Sequence, residues 1–251
     1  NLEGNLKSIP GKEGFPGVNP AEYGLQEVSA KEKGGIVYVM QEGDITKAML
    51  DDKLDYFVPE QAMFEQGALT DEANWKLLTE TLLEGYHIKS LHKETFYPYG
   101  LDNVTLVENF GANSRVIFPF RRIEKLRDIA PEERRIDGLV TSVYLLFPNA
   151  SVAVLSKHTS LVILEPLSPT QSKWVVYRMI NQDSNGNGIT LDEAKRDALF
   201  VNESGQDEDR EAACAIQESV GSGANSHFTF GHFEKAIVNF HQHLSEHIDS
   251  N

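Results

Sequence analysis

Six short runs rich in β-branched and aromatic residues, all between Val104 and Ile180, constrain the fold of this chain more than any other feature. The runs are VTLVENF, SRVIFPF, LVTSVYLLF, SVAVL, SLVILEPL and KWVVYRMI. Turn residues separate them, including Pro148-Asn149-Ala150 and the segment from Pro166 to Pro169. Short strands joined by turns predict an antiparallel meander.

Helical patterns flank these strands. DEAKRDALF and DEDREAACAIQESV follow them, and the last predicted helix carries an apolar stripe formed by Phe233, Ile237, Phe240, Leu244 and Ile248. A curved antiparallel sheet closed by a long C-terminal helix is an α+β layout. The charged insert RRIEKLRDIAPEERRIDG is predicted to be a solvated loop or short helix.

Two more helices are predicted before the strands. ITKAMLDDKLDY, between Asp44 and Tyr56, has an approximate helical spacing of apolar residues. In NWKLLTETLLEGYHIKSLH, which begins at Asn74, apolar residues recur at three- and four-residue steps as far as Tyr86. We expect Thr70-Asp71-Glu72 to cap this second helix.

Composition narrows the function. The 23 basic and 38 acidic residues give a formal net charge of -15, which disfavours nucleic-acid binding because phosphate backbones are repelled. No apolar run is long enough for a membrane helix, and the N-terminus NLEGNLKSIPGKEG lacks the apolar core of a signal peptide, which favours the cytoplasm. With Cys214 as the single cysteine, any metal must be held by histidine and carboxylate.

The segment from Asn74 holds Glu80, Glu84, His87 and His92, which are residue types that bind metals or move protons. In an unbroken helix His92 would lie roughly 140° around the axis from His87. A bend near Gly85 would let both imidazoles face one ion, with a third ligand from elsewhere or from Glu84. Two imidazoles and a carboxylate form the facial triad of non-haem Fe(II) oxygenases. The alternative is that both histidines are surface or satisfied core residues.

Other metal-site patterns fit less well. His-Glu-x-x-His is absent, and Glu84-Gly85-Tyr86-His87 is a single Glu-x-x-His where a di-iron bundle needs two. DSNGNGITLDEA, from Asp183, resembles a calcium loop, but Ala194 stands where the bidentate glutamate belongs, so a turn is favoured. The remaining histidines show no convergent spacing and are predicted to be structural; they are His158, His227, His232, His243 and His247.

Asn74-Trp75-Lys76, Glu84-Gly85-Tyr86-His87 and Leu91-His92 together resemble the mononuclear-iron motif of the Rieske non-haem iron oxygenases, the family of the ring-hydroxylating dioxygenase α subunits. The resemblance extends from about residue 1 to 248. It includes an acidic residue, Asp209, before Gln217, and also Leu146-Phe147-Pro148-Asn149 and Phe240-His241.

This resemblance implies a helix-grip (START-like) fold and an enzyme that activates O₂ at a mononuclear Fe(II) to hydroxylate a small organic substrate, with an aromatic one favoured. It implies that His87, His92 and Asp209 ligate the Fe(II), although a slip to Asp207 or Glu208 stays open. Glu84 matches the acidic residue that links the iron site to the Rieske cluster of a neighbouring subunit. A homotrimer, with or without a β subunit, and an NAD(P)H-dependent reductase are the implied partners.

The chain departs from the family pattern in two places. The family binds a [2Fe-2S] cluster through Cys-x-His and Cys-x-x-His, which Cys214 alone cannot supply. We therefore expect residues 1–43 to be the C-terminal remnant of a Rieske domain, 44–251 to be the catalytic domain, and the cluster to belong to the full-length protein. Second, many members have Asn where this chain has Thr81, after Glu80.

A different class of protein has the same predicted layout, namely a metal-free carrier of hydrophobic ligands with the helix-grip fold. Such a carrier has no need for the combination of His87, His92 and Asp209, so the motif argues against it. Neither the substrate nor the choice between mono- and dioxygenation can be read from the residues of the strands and loops.

Overall fold

The computed structural model describes residues 1–41, 45, 56–136, 138–182 and 188–249. The predicted helix ITKAMLDDKLDY, apart from its end residues Ile45 and Tyr56, and the calcium-like loop from Asp183, apart from Gly188, lie outside the described residues. The described residues form two compact units, one up to Phe57 and a larger one from Val58 onward. The expected domain division at residues 43 and 44 stays a prediction.

The smaller unit contains one β-hairpin. Its strands are β1 (Ser29–Lys33) and β2 (Ile36–Met40), which pair antiparallel from Ser29 with Met40 to Lys33 with Ile36. Gly34 and Gly35 form the turn with φ of 62° and 78°, a left-handed conformation that glycine adopts without steric cost. Short 3-10 helices precede the hairpin at Lys12–Gly14 and Pro20–Glu22.

The larger unit is built on one seven-stranded antiparallel sheet with the strand order β3-β9-β8-β7-β6-β5-β4. The strands are β3 (Met63–Asp71), β4 (Leu106–Phe110), β5 (Asn113–Pro119), β6 (Val140–Leu146), β7 (Ala150–Val154), β8 (His158–Ser168) and β9 (Gln171–Ile180). All six predicted β-rich runs are strands of this meander. The edge strand β3, which pairs with β9, is not among the predicted strands.

Four α-helices belong to this unit in the described part of the chain. They are α1 (Trp75–Glu80), α2 (Leu191–Val201), α3 (Asp207–Gly221) and α4 (Lys235–Asp249). One turn of π-helix, Asn202–Gln206, joins α2 directly to α3. The charged insert contains two 3-10 helices, Arg121–Leu126 and Pro131–Glu133, in agreement with the prediction. Among the described residues, no helix has the length and apolar character that crossing a membrane requires.

The core lies between one face of the sheet and the helices. One cluster packs beneath α1 and α3 and contains Leu78, Leu164, Trp174, Val176 and Ala213, together with Ala73 and Val162. The other packs beneath α4 and contains Leu83, Val116, Leu145, Ile237 and Phe240, together with Ala236. The predicted α4 stripe is correct at its centre but wrong at its end, since Ile248 is 73% exposed.

Helix α1 is shorter than predicted. Asn74, rather than Thr70-Asp71-Glu72, caps it, because the Asn74 side chain accepts a hydrogen bond from the Lys76 amide at 3.0 Å. At its C-terminus the Thr81 hydroxyl donates to the Leu78 carbonyl at 2.9 Å, which competes with the helical pattern. The chain then turns Leu83 into the core, so the two histidines lie beyond the helix and not on it.

Candidate metal centre

The segment after α1 brings the two histidines together. A turn forms between them, in which the His87 carbonyl accepts hydrogen bonds from the amides of Ser90 at 3.1 Å and Leu91 at 2.8 Å. The ring centroids of His87 and His92 are 4.9 Å apart, with the rings edge to face. The five-residue separation therefore still allows both imidazoles to reach one point.

Asp209, in the first turn of α3, lies opposite both imidazoles. Its Oδ1 is 3.3 Å from His87 Nε2 and 3.0 Å from His92 Nε2. One nitrogen from each histidine and one carboxylate oxygen of Asp209 all lie within 4.8 Å of one another. The neighbouring Asp207 turns away, with its side chain 62% exposed and paired with Arg210 at 3.1 Å. Of the three acidic residues in this turn, Asp209 is the one that meets both Nε2 atoms.

A second carboxylate lies behind each imidazole. His87 Nδ1 contacts Glu84 Oε1, and His92 Nδ1 lies 2.6 Å from Glu208 Oε2. A carboxylate on Nδ1 fixes the tautomer in which Nε2 is free to bind a metal. Glu84 is a predicted site residue, whereas the sequence offers Glu208 only as an alternative to Asp209. The one sequence signal for Glu208 was its position directly before Asp209.

The members of this cluster shift the pKa values of one another. Burial lowers the pKa of His87, but close contacts and charge interactions with Asp209 and Glu84 outweigh it and raise that pKa to about 10. Burial also opposes protonation of His92, and contacts with Asp209 and Glu208 raise its pKa overall. For Asp209, burial favours the neutral acid, yet the two imidazoles lower the pKa. The carboxylate is thus ionised and faces two groups that carry positive charge or, when neutral, metal-binding lone pairs.

The donor set fits a metal ion. Asp209 Oδ1 is buried, and within the described part of the chain it accepts no hydrogen bond of normal geometry, although both Nε2 atoms are within 3.3 Å. The two Nε2 atoms therefore lie close to Asp209 Oδ1 without the geometry of hydrogen bonds. Two imidazole nitrogens and one carboxylate oxygen on one side of an ion are typical of mononuclear non-haem Fe(II) sites.

The sheet holds α3 in place behind this cluster. Asp71, the last residue of β3, accepts two hydrogen bonds from the Arg210 guanidinium, at 2.7 and 2.6 Å. It also accepts one from Trp174 Nε1 at 2.7 Å. Asp71 is 7% exposed, so this charge is stabilised by its partners more than by water. Further along α3, Gln217 Oε1 accepts the Asn74 amide at 2.9 Å, which ties α3 to the start of α1.

An aromatic ring covers the buried side of His92. Phe96 packs edge to face on His92 with 4.9 Å between centroids, and Phe200 packs on Phe96 at 5.8 Å. The space for Phe96 exists because Gly205, in the π-helical turn, has no side chain. A Cβ built at Gly205 would lie 2.2 Å from the Phe96 ring.

The other residues that the sequence analysis names lie apart from the cluster. Glu80 Oε1 is 2.8 Å from His241 Nε2, and Thr81 bonds to its own helix. His158 is fully buried and bonds to Asp197 at 2.8 Å, which agrees with its predicted structural role. His243 bonds to a backbone carbonyl on α4.

The fold and the arrangement of this cluster fit a mononuclear metalloenzyme domain, and comparison with known proteins identifies the family of the chain. A family model described as the ring hydroxylating alpha subunit (catalytic domain) matches residues 62–250. The chain therefore belongs to the ring-hydroxylating α-subunit family and is the catalytic domain of a Rieske-type non-haem iron oxygenase, an oxidoreductase. The catalytic site of this family holds a mononuclear iron, and the Rieske cluster is not part of this domain.

Solved structures show the same fold. A quaternary ammonium Rieske monooxygenase, CntA, in complex with an inhibitor is similar with a TM-score of 0.73 at 11% identity, over 98% of this chain and 68% of that chain. Naphthalene 1,2-dioxygenase from Rhodococcus sp. bound to indole gives 0.69 at 15% identity, over 97% and 72%. Dicamba monooxygenase gives 0.57 at 12% identity, over 92% and 72%. No curated protein sequence matches this chain.

These findings confirm the predicted α+β fold of the helix-grip type and the predicted class of enzyme. They do not favour the alternative of a metal-free ligand carrier.

Proposed function

We propose that His87, His92 and Asp209 bind one Fe(II) ion. The observation that carries this proposal is the convergence of their three ligand atoms within 4.8 Å, with a carboxylate behind each imidazole. An Fe(II) held by this facial set supplies O₂ activation, because such a site leaves coordination positions open.

The surrounding residues prepare this site for the metal. Glu84 and Glu208 hold the Nδ1 atoms, so that each Nε2 faces the Asp209 oxygen. His92 is 1% exposed, and Phe96 covers its edge, which keeps water from competing for the ring. Arg210 and Asp71 fix the helix that presents Asp209. The ligands are therefore held by contacts that exist before a metal binds.

Glu84 is our candidate for the connection to a neighbouring subunit. One similar structure is described as giving insight into inter-subunit electron transfer in a quaternary ammonium Rieske monooxygenase. In this chain Glu84 contacts His87 through one oxygen and accepts the Tyr86 amide through the other. Its side chain is 14% exposed, so it is partly accessible from the surface. We propose that Glu84 serves electron transfer from a neighbouring subunit to the iron site in this protein.

That path requires further components. We propose a homotrimer, with or without a β subunit, and an NAD(P)H-dependent reductase. We also propose a Rieske domain with a [2Fe-2S] cluster in the full-length protein, and residues 1–43 would be the C-terminal remnant of that domain. Because Cys214 is the single cysteine, this chain does not hold that cluster through a pair of cysteines.

The proposed reaction is the hydroxylation of a small organic substrate. Similar structures are described as bound to L-carnitine, to indole and to 3,6-dichlorosalicylic acid, and they include both monooxygenases and a dioxygenase. Indole and 3,6-dichlorosalicylic acid are aromatic, whereas L-carnitine and the gamma-butyrobetaine of another similar structure are not. The two aromatic ligands support the aromatic substrate that we propose for this chain.

Metal analysis after anaerobic loading with Fe(II) tests the ligand set. The wild-type chain is expected to retain stoichiometric iron, and His87→Ala, His92→Ala and Asp209→Ala are expected to lose it. His227→Ala is the matched control, because it removes an exposed imidazole that is far in sequence from the segment holding His87 and His92. Stoichiometric iron in His87→Ala, with circular dichroism showing a folded protein, would overturn the assignment.

A further inference from the structure

We propose that Glu208 is a positioning residue for the metal centre, which holds the His92 imidazole in the tautomer and orientation that present Nε2 to the ion. This inference rests on the proposed iron site. It adds a residue that neither the family motif in the sequence nor the three-ligand set includes.

The contact between Glu208 and His92 is direct and short. Glu208 Oε2 lies 2.6 Å from His92 Nδ1, across 116 residues of sequence. A hydrogen bond to an ionised carboxylate at this distance is about twice as strong as a neutral one. It also orients the ring, since an imidazole that donates from Nδ1 keeps the lone pair on Nε2.

Thr95 fixes Glu208 in turn. Its hydroxyl donates to the same Oε2 at 3.0 Å, and its amide donates to the His92 carbonyl at 3.2 Å. The turn that follows His92 therefore returns to the carboxylate that holds the His92 ring. Glu208 Oε2 accepts two bonds from this short segment, which leaves the side chain little rotational freedom.

Two consecutive residues of α3, Glu208 and Asp209, contact the two ring nitrogens of His92. Asp209 Oδ1 is 3.0 Å from Nε2, while Glu208 lies at Nδ1. Neighbouring side chains on a helix diverge by about 100°, which lets them reach the two edges of one ring. The first turn of α3 thus supplies a ligand and also the group that aims another ligand.

The two imidazoles differ in how deeply they are buried. The His87 side chain is 20% exposed, and the His92 side chain is 1% exposed. The Glu208 side chain itself is 32% exposed, so water can enter the space that Glu208 leaves, but Thr95 does not fix a water molecule there as it fixes the carboxylate. Loss of Glu208 is therefore expected to leave the buried His92 imidazole without an acceptor that orients it.

Metal titration of the full chain tests this role. Fe(II) affinity is measured anaerobically against a competing chelator, and visible absorption of the Co(II)-loaded protein reports the ligand geometry. We expect Glu208→Ala to weaken Fe(II) binding by about 10- to 100-fold and to change the Co(II) spectrum. Glu208→Gln should lose less, because its amide oxygen still accepts a bond from Nδ1. Glu211→Ala, an exposed carboxylate on the same helix, is the matched control and should change neither readout.

The outcomes separate this inference from the proposed function. If the wild-type chain binds no Fe(II), the proposed iron site fails. If the wild type binds Fe(II) and Glu208→Ala binds it with the same affinity and the same Co(II) spectrum, the role of Glu208 is overturned while the iron site stands. A lower melting temperature with unchanged affinity and spectrum also overturns it, because Glu208 would then be structural only. Should Glu208→Ala not fold, Glu208→Gln and Thr95→Val give the same decision through smaller losses of affinity.

Discussion

Arg210 binds Asp71 at two points, with Nε 2.7 Å from Oδ2 and Nη2 2.6 Å from Oδ1. Asp71 ends the edge strand β3, and Arg210 directly follows Asp209 on α3. The pair thus fixes the first turn of α3, which carries the proposed ligand Asp209, relative to the edge of the sheet. Trp174 on β9 bonds to the same Asp71 carboxylate, so a neighbouring strand joins this anchor.

Asp71→Ala should destabilise the fold and weaken metal binding together. The change leaves the Trp174 indole without this acceptor and takes the bidentate partner from Arg210, which keeps its contact with Asp207. Removing one partner of a buried pair costs about 3 kcal/mol. For a domain of this size that corresponds to a melting temperature lower by roughly 6 to 12 °C. Thermal unfolding and Fe(II) titration measure both effects. Glu165→Ala, which removes an exposed pair with Lys173, is the control and should cost less than about 1 kcal/mol.

Gly205→Ala should disturb the site through Phe96. The new methyl group would overlap the Phe96 ring, which must move away from His92. Overpacking of this kind costs about 1 to 3 kcal/mol. We expect a lower melting temperature and weaker Fe(II) binding, and adding Phe96→Leu should recover part of both. Simple additivity of the two changes would contradict a steric link between these residues.

Fe(II) affinity should rise with pH in the neutral range. In the metal-free protein the pKa of His87 is raised from 6.5 to about 10, so His87 carries a proton that the metal must displace. Each displaced proton gives about a tenfold gain in affinity per pH unit below that pKa. Anaerobic titration calorimetry from pH 6 to 8, in buffers of different ionisation enthalpy, counts the protons released. A flat affinity profile with no proton release would contradict the raised pKa.

The same raised pKa predicts how the metal-free fold responds to pH. A group with a higher pKa in the folded state stabilises the fold below its unfolded value of 6.5 and loses that contribution as the pH rises through about 10. The stability advantage of the metal-free wild type over His87→Gln should therefore shrink from pH 6 to pH 10. Chemical denaturation at several pH values measures it, and an advantage that grows with pH would contradict the prediction.

Glu84→Gln should separate metal binding from electron supply. The amide oxygen can still accept a bond from His87 Nδ1, but the negative charge is lost. We expect iron content near the wild-type level and reductase-driven turnover of the assembled oxygenase about 10- to 100-fold lower. Glu80→Gln is the matched control, since Glu80 pairs with His241 instead. Equal losses of iron and turnover in Glu84→Gln would mean that Glu84 only holds His87.

The sequence revealed the meander because its six strands are rich in β-branched and aromatic residues, and each is bounded by turns. Strand β3, MFEQGALTD, has few β-branched and aromatic residues, and it is a strand because β9 offers it an edge to pair with. The spacing of His87 and His92 was readable for a similar reason, since both belong to one segment.

Contacts between distant segments were not readable. The 2.6 Å contact of Glu208 with His92 depends on where α3 is placed, and no local pattern encodes it. The end of α1 at Glu80 was missed because the apolar spacing continues to Tyr86, while burial of Leu83 turns the chain. Tertiary packing, more than local propensity, decided both.

The turn of π-helix at Asn202–Gln206 determines the direction around the axis of α3 in which Asp209, the proposed ligand, projects. Arg178 on β9 binds Asn202, the first residue of this turn, at 2.6 Å, and Asp71 binds Arg210 beyond its end. The sheet therefore holds the helix at both of these points. One residue more or fewer between these two points would rotate the first turn of α3 by about 100°. A single-residue insertion there would bring Glu208 to the place where Asp209 faces the imidazoles, and a deletion would bring Arg210 there, so the chain length of this turn is as decisive for the proposed ligand set as the identity of Asp209.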